Sequence, residues 1–116
     1  MENTVKNKSY TFALRVIKAY KYLGSEQREF VLSKQLLRSG TSIGALIREA
    51  EHAESKADFI HKMNIALKEA NETEYWLMLL HDSEYIDNNS FNSIIADCQE
   101  LIKLLISIIK TSKSNK

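Results

Sequence analysis

The chain has 116 residues, enough for one domain with its own hydrophobic core. Hydrophobic residues make up 44% and charged residues 27%, the balance of a globular protein, and turn-rich β architectures are disfavoured by the absence of Pro and only three Gly. The net charge of +1 argues against strong, indiscriminate affinity for polyanions.

That charge is unevenly spread. Residues 1–40 carry eight Lys/Arg against three Asp/Glu, residues 41–100 four against twelve, and residues 101–116 four Lys and no acid. Oppositely charged helices facing one another in a bundle account for this first; a nucleic-acid surface is the second reading. The single cysteine, Cys98, cannot form an internal disulfide and points to a reducing, cytoplasmic compartment. No secretory h-region follows Met1, and the apolar stretch 101–109, interrupted by Lys103, is too short to cross a bilayer. No membrane partner is expected.

Four helical segments follow one another in a single domain over 1–116. Residues 1–8 and 112–116 are polar and expected to fray. The first helix is predicted over 9–23, opened by Ser9 as N-cap and closed by Gly24, with Lys18 and Lys21 complementing its dipole. Phe12, Ala13, Val16, Ile17, Tyr20 and Leu23 form its inward stripe. The second helix is predicted over 26–53, burying Leu32, Leu36, Ser39, Ile43, Ile47 and Ala50. Ser55-Lys-Ala-Asp58 is a capping box that opens the third, over 56–82. Its core face is Phe59, Met63, Ala66, Leu67, Ala70 and Leu77. A turn over 83–89 leads to the fourth helix, 90–111, with the broad apolar set Phe91, Ile94, Ile95, Cys98, Leu101, Ile102, Leu105 and Ile109. The first helix is expected to be the shortest. Short loops between amphipathic helices predict an all-α, antiparallel up-down-up-down four-helix bundle.

The run Gln35-Leu-Leu-Arg38-Ser39-Gly40-Thr41-Ser42-Ile43-Gly44-Ala45 is unusual inside a helix. Each Gly there costs roughly 1 kcal/mol against Ala, which a closely packed helix backbone would offset. Gln35, Arg38, Ser42, Ala45 and Glu49 share a side nearly opposite the core stripe. On the third helix Ile65, Trp76 and Leu79 also face away from the core, among Asp58, Glu69 and Glu72. An apolar patch of this kind calls for a cover. We therefore expect a homo-oligomer whose interface uses Gln35, Arg38, Ser42, Ala45 and Glu49 with Ile65, Glu69, Glu72, Trp76 and Leu79. A neighbouring copy would also explain the small Gly40, Gly44 and Ala45. Arg38 is expected to pair with Glu69 or Glu72, across helices or subunits.

Chemistry has few candidates. Glu49-x-x-His52 and Asp58-x-x-His61 have the spacing of di-metal bundle ligands. The first helix offers no carboxylate to complete such a set, so no metal or other cofactor is expected. Glu74 and His81 fall near the apolar face of the third helix, where structural partners are the expected outcome. Cys98 lies mid-stripe, the position of an inert packing thiol. No catalytic residue and no small-molecule substrate are evident, and the protein is read as non-enzymatic. Nucleic acid is the leading partner class: Arg15, Lys18 and Tyr22 form an outward stripe with Lys21 beside it, and Lys110, Lys113 and Lys116 add charge at the other terminus. Lysines neutralise phosphates and a tyrosine can stack on an unpaired base.

The stretches Ser9-Tyr-Thr-Phe-Ala13, Gln35 to Gly44, Ile47-Arg-Glu-Ala50, Ser55-Lys-Ala-Asp-Phe59, Ile65 to Leu77 and Glu100 to Ile106 together span nearly the whole chain. In this ensemble it resembles the small four-helix-bundle proteins encoded in intervening sequences of bacterial 23S ribosomal RNA genes. The resemblance implies a ring-like homo-oligomer, a pentamer, without catalytic residues. It also implies similarity to the nucleic-acid-binding accessory proteins of diversity-generating retroelements. One departure is Leu46, where that family often carries Asn; here the contact becomes apolar. The combined expectation is an RNA-associated adaptor. A purely structural or protein-binding oligomer is the alternative, and a di-metal carboxylate bundle a distant third.

Overall fold

A computed structural model describes residues 3–115, so Met1, Glu2 and the expected basic residue Lys116 lie outside the described residues. Four helices account for the fold: α1 (Asn3–Ser25), α2 (Leu32–Glu51), α3 (Lys56–Asp82) and α4 (Asn88–Ser114). Each packs against its chain neighbours, and α4 returns to α1 to close the bundle, with principal extents of 50 × 21 × 19 Å. The α1–α4 seam is the most sparsely packed of the four.

The helix limits follow from where polar groups find partners. Ser55 caps α3 as expected, accepting from the Asp58 amide at 3.0 Å, while the Asp58 carboxylate accepts from the Glu54 amide at 3.2 Å. Asp87 caps α4 through the Ser90 amide at 2.8 Å, so this helix begins at Asn88, ahead of the predicted residue 90. It also runs on to Ser114, so residues 112–114 are helical where fraying was expected.

The first helix departs more. Val5 is fully buried, which extends the apolar stripe backwards through Ser9, Phe12 and Val16 and makes residues 3–8 helical, contrary to the expected fraying. Ser9 is therefore mid-helix and no cap: its hydroxyl donates to the Lys6 carbonyl at 2.9 Å. Gly24 does not end the helix either, since Ser25 is still helical. The last turn holds no basic residue, so Lys18 and Lys21 do not serve the dipole as expected. The left-handed residue of the α1–α2 connection is Arg28, with φ 56°.

Residues 26–31 are not helical, so α2 starts later than predicted and, at 20 residues against 23 for α1, is the shortest helix. The reason is Glu29. Its carboxylate folds over the open end of α2 and accepts from the amides of Val31 at 3.0 Å, Leu32 at 2.9 Å and Ser33 at 2.7 Å. The Ser33 hydroxyl returns a bond to the Glu29 carbonyl at 2.9 Å. Burial would raise the Glu29 carboxyl, but the amides of Leu32, Ser33 and Val31 outweigh it and hold it below the ordinary glutamate value.

The core runs the length of the bundle, with Phe12, Leu36, Ile43, Met63, Leu77, Leu101 and Leu105 among its fully enclosed side chains. The glycines of α2 serve this interior. A Cβ on Gly40 would lie 2.8 Å from both methyls of Val16, and one on Gly44 would lie 3.3 Å from the Ser9 hydroxyl. Close approach of α1, not a second copy of the chain, explains both glycines; Ala45, by contrast, is exposed. The hydroxyls of the same run are also satisfied locally: Thr41 donates to the Leu37 carbonyl at 2.7 Å and Ser42 to that of Arg38 at 2.6 Å. Ser39 meets Thr73 of α3 in the core at 2.9 Å.

Candidate functional site

Two surfaces gather the residues singled out by sequence. The first lies along the outer side of the α2–α3 pair. Arg38, on α2, reaches across to Glu72 at 2.6 Å and Glu69 at 3.2 Å, so the expected pair is a three-residue network within one subunit. Glu72 also accepts from the Trp76 indole at 2.9 Å. The Trp76 bond first, and Arg38 second, hold the Glu72 carboxyl below its ordinary value; Glu72 and Glu69 in turn raise Arg38. Glu69 Oε1 is buried and, though 3.2 Å from the guanidinium, out of hydrogen-bond alignment with it. At the far end Glu49 pairs with Lys62 at 3.0 Å.

These bonds place Arg38 and Glu49 of α2 on one continuous face with Glu69, Glu72 and Trp76 of α3. Gln35, Ser42 and Ala45 follow from the helical repeat of α2, as Ile65 and Leu79 do from that of α3. Gln35, Ala45 and Glu49 are exposed, and Ser42, Ile65, Glu69, Glu72, Trp76 and Leu79 are half-buried. Trp76 is less naked than its sequence position suggests, because it packs against the core and meets Tyr75 edge-on at 5.2 Å. Leu46 is likewise half-buried against the core.

The second surface is the α1–α4 seam. Arg15 spans it, bonding Asp97 at 2.5 Å and the Ser93 hydroxyl at 2.9 Å, so its charge is matched by α4 and does not point freely outward. Lys6 and Lys8 likewise pair with Glu51 and Glu100, each at 3.1 Å. Facing helices of opposite charge therefore account for much of the uneven charge pattern. Lys18 and Lys21 are exposed and in no ion pair among the described residues. Tyr22, 42% exposed, accepts from the Gln27 amide at 2.7 Å.

Above Arg15 the helices part to leave an open groove of about 630 Å³, floored by Ala19, Ile86 and Ile94 and walled by Lys18 and Tyr22 on one side and Asp87, Asn89 and Ser90 on the other. Lys110 and Lys113 are exposed but do not join this group. With Ser93 at the level of Arg15, they sit 17 and 20 residues further along α4, about 25–30 Å away.

The remaining candidates are held by structural partners. Glu74 accepts from Gln99 at 3.1 Å. His81 lies between Asp82 at 2.9 Å and Asn88 at 2.6 Å and stacks on Phe91 at 4.2 Å, with Asn88 first and Asp82 second raising its pKa. Cys98 is buried against the Ala70 carbonyl at 3.4 Å, and burial pushes its thiol up to about 12. His52 and His61 are exposed, and no group of three or more potential metal ligands occurs among the described residues. No described helix is long and apolar enough to cross a membrane.

Sequence reasoning missed Glu29, the groove, and an exposed apolar tip made by Phe30 (53%) and Val31 (72%). A glutamate three residues before a leucine is a weak capping signal, and a groove depends on how two distant segments diverge.

No curated protein matches the chain. Among solved structures, it is similar to a Bacteroides thetaiotaomicron protein described as of unknown function and from the S23 ribosomal protein family. The two share 66% identity and a TM-score of 0.91, over 91% of this chain and 98% of the other. The model of the 23S rRNA-intervening sequence protein family matches residues 1–107. With four helices in the expected order and that match over most of its length, the chain belongs to the 23S rRNA-intervening sequence protein family.

Proposed function

We propose that the protein is a non-enzymatic, ring-like homo-oligomer, a pentamer, that acts in the cytoplasm as an RNA-associated adaptor. The observation that carries this reading is α1. It holds five cations and no acid from Asn3 to Ser25; three pair with neighbouring helices, and Lys18 and Lys21 remain in solvent beside Tyr22. Such a cluster suits phosphate neutralisation with base stacking. The family's description, and that of the Bacteroides relative, refer to ribosomal RNA or the ribosome, which supports the same partner class.

One subunit offers few phosphate contacts; a ring repeats them and gains by avidity. Support for self-association comes from the continuous α2–α3 face, where a half-buried Trp76 and the Arg38–Glu72 pair offer the aromatic and arginine anchors common at interfaces. Support for a non-enzymatic role comes from Cys98, Glu74 and His81, each engaged in packing or in joining helices.

Light scattering at micromolar concentration is expected to give a multiple of the 13.3 kDa chain mass. Filter binding is expected to retain ribosomal RNA fragments at about 50 mM salt and to lose them by about 200 mM. A monomeric mass refutes the assembly, and no retention at low salt refutes the RNA role. The exposed Phe30 and Val31 favour a second reading, a protein-binding oligomer. Co-purification from the native cell of protein without RNA would favour it.

A further inference from the structure

We infer that the groove on the α1–α4 seam takes one unpaired nucleotide of a single-stranded RNA segment. The inference rests on the RNA reading above and names the ligand of that surface. Its volume of about 630 Å³ falls in the range of small-ligand sites. The gap exists because Ala19, Ser90 and Ser93 are small where α1 and α4 face each other, so the helices do not interlock there. The floor, with Ile86 and Ile94 at 8% and 6% exposure, is apolar enough to receive the face of a base.

Tyr22 stands on the α1 wall as a stacking surface, its hydroxyl already held by Gln27. Across from it the Asn89 amide offers a donor and an acceptor to a base edge, and the Ser90 hydroxyl, which donates to Asp87, offers an acceptor. Lys18 sits at the rim without an ion-pair partner among the described residues, in place for the phosphate. Of the two nearby carboxylates, Asp97 is matched by Arg15. Asp87 lines the groove and keeps its charge while capping α4 through the Ser90 amide and hydroxyl, so the phosphate must lie on the Lys18 side, away from it. A base within a duplex has its faces stacked and its edge paired, and cannot reach a floor recessed between two helices.

The test is fluorescence anisotropy of a labelled twelve-nucleotide single-stranded RNA, and of the duplex of the same sequence, with the full chain at about 50 mM salt. The single strand is expected to bind more tightly than the duplex. Tyr22→Ala is expected to weaken single-strand binding about tenfold and Tyr22→Phe to preserve it, as base stacking requires. Lys18→Ala is expected to weaken binding severalfold and lower its salt dependence. Should Tyr22→Ala fail to fold, Asn89→Ala at an exposed position replaces it, with a severalfold loss expected. Equal binding of duplex and single strand, or unchanged binding by these variants, overturns the groove assignment and leaves the RNA role standing. No binding of either probe by the unaltered protein overturns the RNA role itself.

Discussion

Replacing Gly40 by Ala tests whether the small residues of α2 serve the interior of one subunit. A bare helix would gain about 1 kcal/mol from this change. Here the new Cβ would lie 2.8 Å from Val16 Cγ1 and Cγ2 and 3.2 Å from Val16 Cβ, against about 3.5–4.0 Å for relaxed carbon contacts. Valine has one strongly preferred rotamer in a helix, and with Cβ itself too close, rotation cannot clear the overlap. The strain must move α1, which also carries the fully buried Phe12 and Leu23. Overpacking typically costs about 1–3 kcal/mol, and three overlapping contacts place this site at about 2–3 kcal/mol, which after the helix gain leaves a net loss of about 1–2 kcal/mol. For a chain of this length that is a Tm lower by roughly 4–8 °C, read by circular dichroism at one fixed protein concentration. In a Val16→Ala background only the 3.2 Å Cβ contact remains, and the loss caused by Gly40→Ala should shrink towards zero. Equal effects in both backgrounds, or a Gly40→Ala protein as stable as the parent, would refute the close-packing account.

Four further outcomes are expected. Glu29→Ala should cost about 2–3 kcal/mol in denaturant unfolding, because the buried Ser33 amide loses its acceptor. The Glu29 carboxyl lies below its unfolded value, so its stabilisation is present above pH 4.5 and is lost as pH falls through the folded pKa; Glu29→Gln should flatten that acid limb. His81 behaves oppositely: its raised pKa means that its stabilisation is present below pH 6.5 and fades as pH rises through the folded value, which NMR titration of the ring protons would locate above 6.5. Arg38→Ala should change subunit stability by less than about 1 kcal/mol, since Arg38 is half exposed, yet should reduce the assembly mass in light scattering if the α2–α3 face is the interface.

Helix number and order, the α3 start and most core positions were legible because periodicity and the Ser55–Asp58 box are local signals. Val5 was missed because one buried residue among polar neighbours is too faint a stripe; the spacing Val5–Ser9–Phe12–Val16 carries it only once Ser9 is allowed to be buried. The α2 start was misplaced because no Gly or Pro breaks residues 26–31, and a carboxylate reaching three amides leaves no periodic trace. The Arg38 network was legible as a pairing of types, since an arginine and two glutamates lay on facing helices.

Sequence alone determined an all-α bundle, because apolar spacing along each segment decides which side of a helix must leave water. It also singled out α1 as the basic helix. Only the tertiary structure decided which of those cations are matched, where a groove opens, and what the α2 glycines face. Those properties depend on distances between segments far apart in the chain, to which a residue's local pattern is blind.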